Sequence, residues 1–194
     1  MPKVSDDHRR AQEERFVDAA RRCFTRLGVE NTSMENIRSE AGVSAGLMYR
    51  YFTSKNEMIR AAIAGSMDQF EALIIDVGKG EKADTAIGYL RSLLDTLSKF
   101  RRQSDGVDLF VLAIQGWAHS QSHPEAKAVI AASFARQMSS YRSIAKRWTT
   151  PAKADGAARA VAAAVVGYIV ESAFSETEVD VNRYCKGFTT LAGG

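Results

Sequence analysis

Tyr49, Arg50 and Tyr51 are three consecutive large side chains with polar ends, placed after the small residues Ser44, Ala45 and Gly46. Buried, they would need three internal partners. On a surface, two hydroxyls and a guanidinium suit phosphate oxygens, and Leu47 beside them can touch a thymine methyl. Ala45 and Gly46 are small enough to let a helix backbone approach a groove. The plain alternative is a short connector helix in a bundle. Catalytic constellations are harder to assemble. His8 lies in a charged N-terminal arm, and His119 and His123 are four apart, but Pro124 predicts a helix break between them, with no third ligand near. Gly78-Lys79-Gly80 follows no strand pattern, so it is no phosphate loop. No G-x-S-x-G elbow occurs. The expectation is no enzyme, no cofactor and no metal.

The elements that would position Tyr49 and Arg50 are legible around them. Thr32 followed by Glu35 has the form of a capping box opening a helix. Ile37 and Ala41 lie on one face of that helix, and Gly42 permits a left-handed turn after it. Ser44 can cap a second helix whose Val43, Met48 and Phe52 close a core. Ala45, Gly46, Leu47, Tyr49 and Arg50 are left outside. Ser54 and Glu57 repeat the capping box and open a long third helix. The pattern over about residues 33–52 is a helix-turn-helix suited to a DNA major groove.

The same stretch resembles the N-terminal domain of the tetracycline-repressor (TetR) family of bacterial regulators. The resemblance rests on Thr32, Ile37, Ala41, Gly42, Val43, Ser44, Gly46, Tyr49, Tyr51, Phe52 and Lys55, with Phe16, Ala19, Ala20, Phe24 and Gly28 upstream. It covers roughly the first third of the chain. Arg38 departs from it, where the family most often carries Ala; the expectation is that Arg38 turns outward, towards phosphate. The resemblance implies phosphate contacts at Tyr49 and Lys55; with the outward residues of the motif, the expected DNA-binding set is Thr32, Ser33, Arg38, Ser44, Ala45, Gly46, Leu47, Tyr49, Arg50, Tyr51 and Lys55. It also implies a homodimer, a palindromic double-stranded operator and a small-molecule effector held among the later helices. Operator and effector identities stay open.

The rest of the 194 residues, 45% of them apolar, can hold one domain or two small ones. Net charge is only +3, with 11 Lys/Arg against 9 Asp/Glu through residue 60, so charge alone argues poorly for nucleic acid. Abundant Ala and only three prolines favour an all-α chain. Apolar stripes predict nine helices: three in a domain over 1–53 and six in an effector-binding and dimerisation domain over 54–194. The stripe of the seventh runs through Phe134 and Tyr141. Residues before Asp7 are expected to be disordered. The polar N-terminus lacks the form of a signal peptide, the nearest approach to a membrane span (Ala157 to Val170) is too short, and two isolated cysteines suit a reducing cytoplasm.

Polar points in apolar surroundings, read with the family resemblance, suggest an effector pocket of Phe70, Phe110, Gln115, Trp117, Met138, Tyr141 and Glu171. Such an effector would be lipophilic with one or two polar groups. Ala160, Ala163, Ala164 and Gly167, with Tyr184, Phe188 and Leu191, form the expected dimer face. An all-helical ligand-binding or catalytic bundle, with the first helices as a docking module, is the alternative reading.

Overall fold

The computed structural model describes residues 6–103 and 105–192. Residues 1–5 lie outside them, so the expected disorder there has no structural counterpart, while Asp6 already begins the first helix. The described residues form nine α-helices and a short 3-10 turn at 81–84, with no strand. The helices are α1 (Asp6–Leu27), α2 (Met34–Ala41), α3 (Ala45–Tyr49), α4 (Lys55–Lys79), α5 (Ala86–Gln103), α6 (Leu109–Ser122), α7 (Pro124–Ala145), α8 (Ala154–Phe174) and α9 (Val181–Ala192). They group into two compact units, one of residues 1–66 with 105–130 and the other of 67–104 with 131–194. The division differs from the expected break at residue 53. The start of α4, all of α6 and the start of α7 belong with the first three helices.

The first unit closes around α1. Its stripe of Phe16, Ala19, Ala20, Cys23 and Phe24 is buried against Ile37, Ala41, Met48, Phe52, Met58 and Ile59. The Phe16 ring meets Tyr51 and Phe52 edge-on, with centroids 5.3 and 6.4 Å away. Phe16 therefore packs on the segment that directly follows α3. Phe16→Ala should cost about 3–5 kcal/mol, read as a fall in the urea midpoint; an unchanged midpoint would mean this core does not hold the unit.

The first helix of the motif is capped one residue later than Thr32 and Glu35 suggested. Ser33 is the N-cap: its hydroxyl accepts from the Asn36 N–H, and the Asn36 side-chain oxygen accepts from the Ser33 N–H in return. Thr32 is buried, and its hydroxyl donates to the Gly28 carbonyl at 2.7 Å to close the preceding turn. Glu35 instead pairs with Arg38. At the other end Gly42 has φ +64°, where a side chain would be strained. There the N–H groups of Gly42 and Val43 reach back to the Ser39 and Arg38 carbonyls. Glu40 bridges Arg22 and Arg26 of α1, and the Arg15 guanidinium donates to the Ala41 carbonyl at 2.7 Å.

Helix α6 is tied to this unit along its length. The Asp108 N–H donates to the Thr25 hydroxyl, and the Asp108 carboxylate caps α6 at the Phe110 and Val111 N–H groups. The Val29 N–H donates to the Gln115 side-chain oxygen at 3.0 Å. Gly116 sits against Ile63 of α4, and Arg60 of α4 pairs with Glu125 of α7.

The second unit is built on α5 and α8. Tyr89, Leu93 and Leu94 of α5 and Val165 and Tyr168 of α8 are fully buried. The Ser98 and Tyr168 hydroxyls bond to each other, and the small inner residues Ala158 and Ala162 allow close approach. α8 has 21 residues and is, by length and composition, apolar enough to cross a bilayer, contrary to the reading of 157–170 as too short. Its buried face is that of an ordinary core helix. Phe134 is 45% exposed, so the α7 stripe runs instead through Ser133, Gln137, Met138 and Tyr141. Cys23 and Cys185 are free and buried, and burial pushes both thiols up.

Candidate nucleic-acid interface

α3 is only five residues long, and the chain fixes it from three sides. Ser44 caps it through the Leu47 N–H, Met48 is fully buried beneath it, and the following N–H groups of Tyr51 and Phe52 both return to the Met48 carbonyl. Ala45, Gly46, Tyr49 and Arg50 stay exposed, Tyr49 at 51%. Among the described residues no hydrogen bond engages the Tyr49 hydroxyl or the Arg50 guanidinium. Two long polar side chains thus stand free on a rigidly seated helix.

The other expected DNA residues divide. Ser33 is exposed, though its hydroxyl is part of the α2 cap. Leu47 is half-buried against the core, and Tyr51 lies edge-on to Phe16, so both serve the fold at least in part. Thr32 is a correction: buried beneath the turn, its side chain is inaccessible to phosphate. Arg38 is another. Its guanidinium is bound to the Glu35 carboxylate and donates to the Val43 carbonyl at 2.9 Å, so it stitches the α2–α3 turn rather than turning outward. Lys55 reaches the Glu30 carbonyl at 2.7 Å with one of its three N–H groups.

Gly46 is the informative position. A Cβ built there meets nothing within 4 Å, and its backbone needs no left-handed angle. Nothing in the chain itself therefore requires glycine, although glycine in a helix costs about 1 kcal/mol relative to alanine. Sequence alone marks Gly46 as small; the open space above it shows that the smallness serves no internal contact.

The expected pocket residues fall in both units. Phe110, Gln115 and Trp117 lie in the first, where Gln115 is already committed to the Val29 N–H. Phe70, Met138, Tyr141 and Glu171 lie in the second, where Glu171 is exposed on α8 rather than interior. There the sequence reading missed Tyr89 and Trp148. Tyr89 packs against Tyr141 and Trp148 with centroids 6.3 and 5.5 Å apart, and the buried Tyr141 hydroxyl and Trp148 ring N–H have no hydrogen-bond partner among the described residues. Burial alone raises Tyr89, and burial with its neighbour raises Tyr141, so both stay protonated donors. Tyr141→Phe removes an unsatisfied buried hydroxyl and should leave the melting temperature unchanged or raise stability by about 1 kcal/mol. A clear fall would mean the hydroxyl already has a bound partner. No group of three or more His, Cys, Asp or Glu able to hold a metal exists among the described residues.

The expected dimer face is partly redrawn. Ala160, Ala163 and Gly167 are exposed, but Ala164 is buried and its carbonyl accepts from the Tyr184 hydroxyl at 2.7 Å. A Cβ on Gly167 would meet that hydroxyl at 2.8 Å, so Gly167 makes room for α9 of its own chain, and a bulky residue there would strain the fold. Tyr184 and Phe188 are half-buried and meet edge-on, while Leu191 is 81% exposed. The exposed apolar residues missed from sequence are Val166, Val170 and Phe174, the last 76% exposed. With Ala163 they recur three or four apart, a spacing that could have revealed them.

Among the described residues the chain is all-helical and presents a short exposed helix on an anchored helix-turn-helix. Residues 16–62 match the model of bacterial regulatory proteins of the tetR family. Over residues 16–62 the chain carries the N-terminal domain of this TetR family. It is 28% identical over 100 residues to the HTH-type transcriptional repressor Rv1474c of Mycobacterium tuberculosis, covering 52% of this chain and 50% of that one. It is 36% identical over 87 residues to the nicotine-responsive transcriptional repressor HdnoR of Paenarthrobacter nicotinovorans, covering 45% and 43%. The chain spans a third to a half of the length of such relatives. Its fold is shared with a TetR-like transcriptional regulator from Rhodococcus sp. RHA1, at 20% identity and a TM-score of 0.67 over 99% of this chain and 100% of that one.

Proposed function

We propose that this chain is a transcriptional repressor, acting as a homodimer that seats α3 in the major groove of a palindromic operator and releases it when a lipophilic small molecule binds. The observation that carries the DNA reading is Gly46, a helix glycine with open space above it, flanked by free Tyr49 and Arg50. A close external approach beside two unengaged polar side chains would make use of that space. Two-fold pairing of α8 and α9 would cover Val170, Phe174 and Leu191, and a palindromic operator requires two recognition helices about one DNA turn, 34–36 Å, apart. The unpaired Tyr141 hydroxyl and Trp148 N–H beside Tyr89 offer two hydrogen bonds in an apolar setting, which suits an uncharged or weakly polar ring compound. α4 and α7 each carry residues of both units and are the covalent route from such a ligand to the reading head.

Gly46→Ala separates the roles of fold and function. The substitution should raise stability by about 0.5–1 kcal/mol while weakening binding to a duplex that the wild-type protein selects from a random-sequence pool. Undiminished DNA affinity in the stabilised variant would contradict the seating of α3. Titration of uncharged ring compounds should quench or shift Trp148 emission and lower duplex affinity together. By linkage the duplex must weaken the compound by the same factor.

A further inference from the structure

α6 takes hold of the turn between α1 and α2 at two successive residues. Gln115 and His119 lie four apart on one face of α6; the first accepts from the Val29 N–H at 3.0 Å, and the second lies 2.9 Å from Glu30 Oε1. A carboxylate only accepts, so His119 Nδ1 is the donor, and that bond holds the Glu30 carboxyl below the ordinary carboxylate range. His119 is itself fixed. His123 stacks on it at 3.7 Å and donates from its own Nδ1 to the His119 carbonyl at 2.9 Å. Below the turn, the Thr32 hydroxyl closes on the Gly28 carbonyl. From the far side, Lys55 Nζ donates to the Glu30 backbone carbonyl at 2.7 Å.

Glu30 is therefore held by α6 through its side chain and holds Lys55 through its backbone. Its carboxylate is 73% exposed, so burial does not explain its arrangement; the His119 bond does. A free lysine loses much rotamer freedom when it docks on a phosphate. Lys55 commits one of three N–H groups to the turn and presents the other two from a fixed position.

We propose that Glu30 and His119 are positioning residues for a phosphate contact of Lys55, so that the state of α6 sets how well that contact forms. The inference rests on the proposed seating of α3 in DNA and on the Lys55 phosphate contact that the family resemblance implies. It places a regulatory coupling in the α6 to α1–α2 clasp, within the first unit itself.

The test measures anisotropy of a labelled duplex, selected by the wild-type protein from a random pool, across a series of salt concentrations. Lys55→Met should weaken binding about tenfold and flatten the log–log salt slope by about 0.9, as removal of a single phosphate partner requires. Glu30→Gln removes the charge but keeps an acceptor for His119, and should bind as well as wild type or tighter. Glu30→Ala removes both and should bind about threefold to tenfold more weakly than Glu30→Gln, with His119→Ala matching it. In the Lys55→Met background the difference between Glu30→Ala and Glu30→Gln should vanish. Circular dichroism melts ensure comparison at equal helicity, and Glu30→Ala keeps the test valid if His119→Ala fails to fold. Equal binding by Glu30→Ala and Glu30→Gln, or a difference that persists without Lys55, would overturn the clasp while leaving Lys55 as a phosphate ligand. An unchanged slope for Lys55→Met would overturn the Lys55 reading, and the inference with it.

Discussion

In the dimer proposed above, Val170→Asp should separate the protein into monomers and reduce affinity for the selected duplex by about two to four orders of magnitude. Val170 is exposed on α8 on the same face as Val166 and Phe174. Carboxylates placed at a two-fold interface meet each other, lose water and are strongly disfavoured as a charged pair. The fold itself should be untouched, because Val170 faces away from the α8 core of Val165, Tyr168 and Ile169. Binding falls so far because two half-sites joined in a dimer act at an effective concentration near millimolar, and a monomer forgoes that gain of about 10²–10⁴. Sedimentation equilibrium at micromolar concentration reads the first part, and duplex binding the second. A wild type that sediments as a monomer would remove the basis of the prediction.

Tyr49→Ala and Arg50→Ala should each weaken duplex binding by about 1–3 kcal/mol without altering helicity or melting temperature. Both side chains are exposed and make no internal hydrogen bond among the described residues, so truncation leaves the fold intact. The two should differ in kind. Removing a Tyr49 hydroxyl that binds phosphate would weaken binding across all sequences; truncating an Arg50 that reads guanine would instead relax the preference at one base position. Competition with duplexes carrying single base changes separates these outcomes. Undiminished affinity in the double variant would show that α3 is not the reading helix.

The sequence was most readable where local chemistry and periodicity coincide. Ile37, Ala41, Gly42, Ser44, Met48 and Phe52 have the roles their spacing suggests, because each role is decided within a turn or two of chain. Choices between near-equivalent neighbours were less legible. Thr32 and Ser33 can both cap a helix, and the winner depends on the Gly28 carbonyl lying within reach of Thr32. Arg38 reads as outward because it is charged, yet its partners are a carboxylate one turn back and a carbonyl across the turn. Long-range placement was hidden altogether. Nothing local tells that α6, apolar nearly all round, and the Asp108 that caps it are pinned to Thr25, Val29 and Glu30 far upstream. Small residues on α8 were ambiguous for the same reason: Gly167 accommodates Tyr184 of its own chain, while Val170 and Phe174 are the residues left uncovered.

Anisotropy of a selected palindromic duplex, measured with the wild-type protein over a range of salt, tests the central claim most directly. Binding should saturate at two chains per duplex, with log affinity falling linearly as log salt rises and a slope corresponding to several phosphate contacts. The same curve for Gly46→Ala should lie at weaker affinity with an unchanged stoichiometry. Failure of the wild-type protein to enrich any duplex, or binding with no salt dependence, would contradict the account.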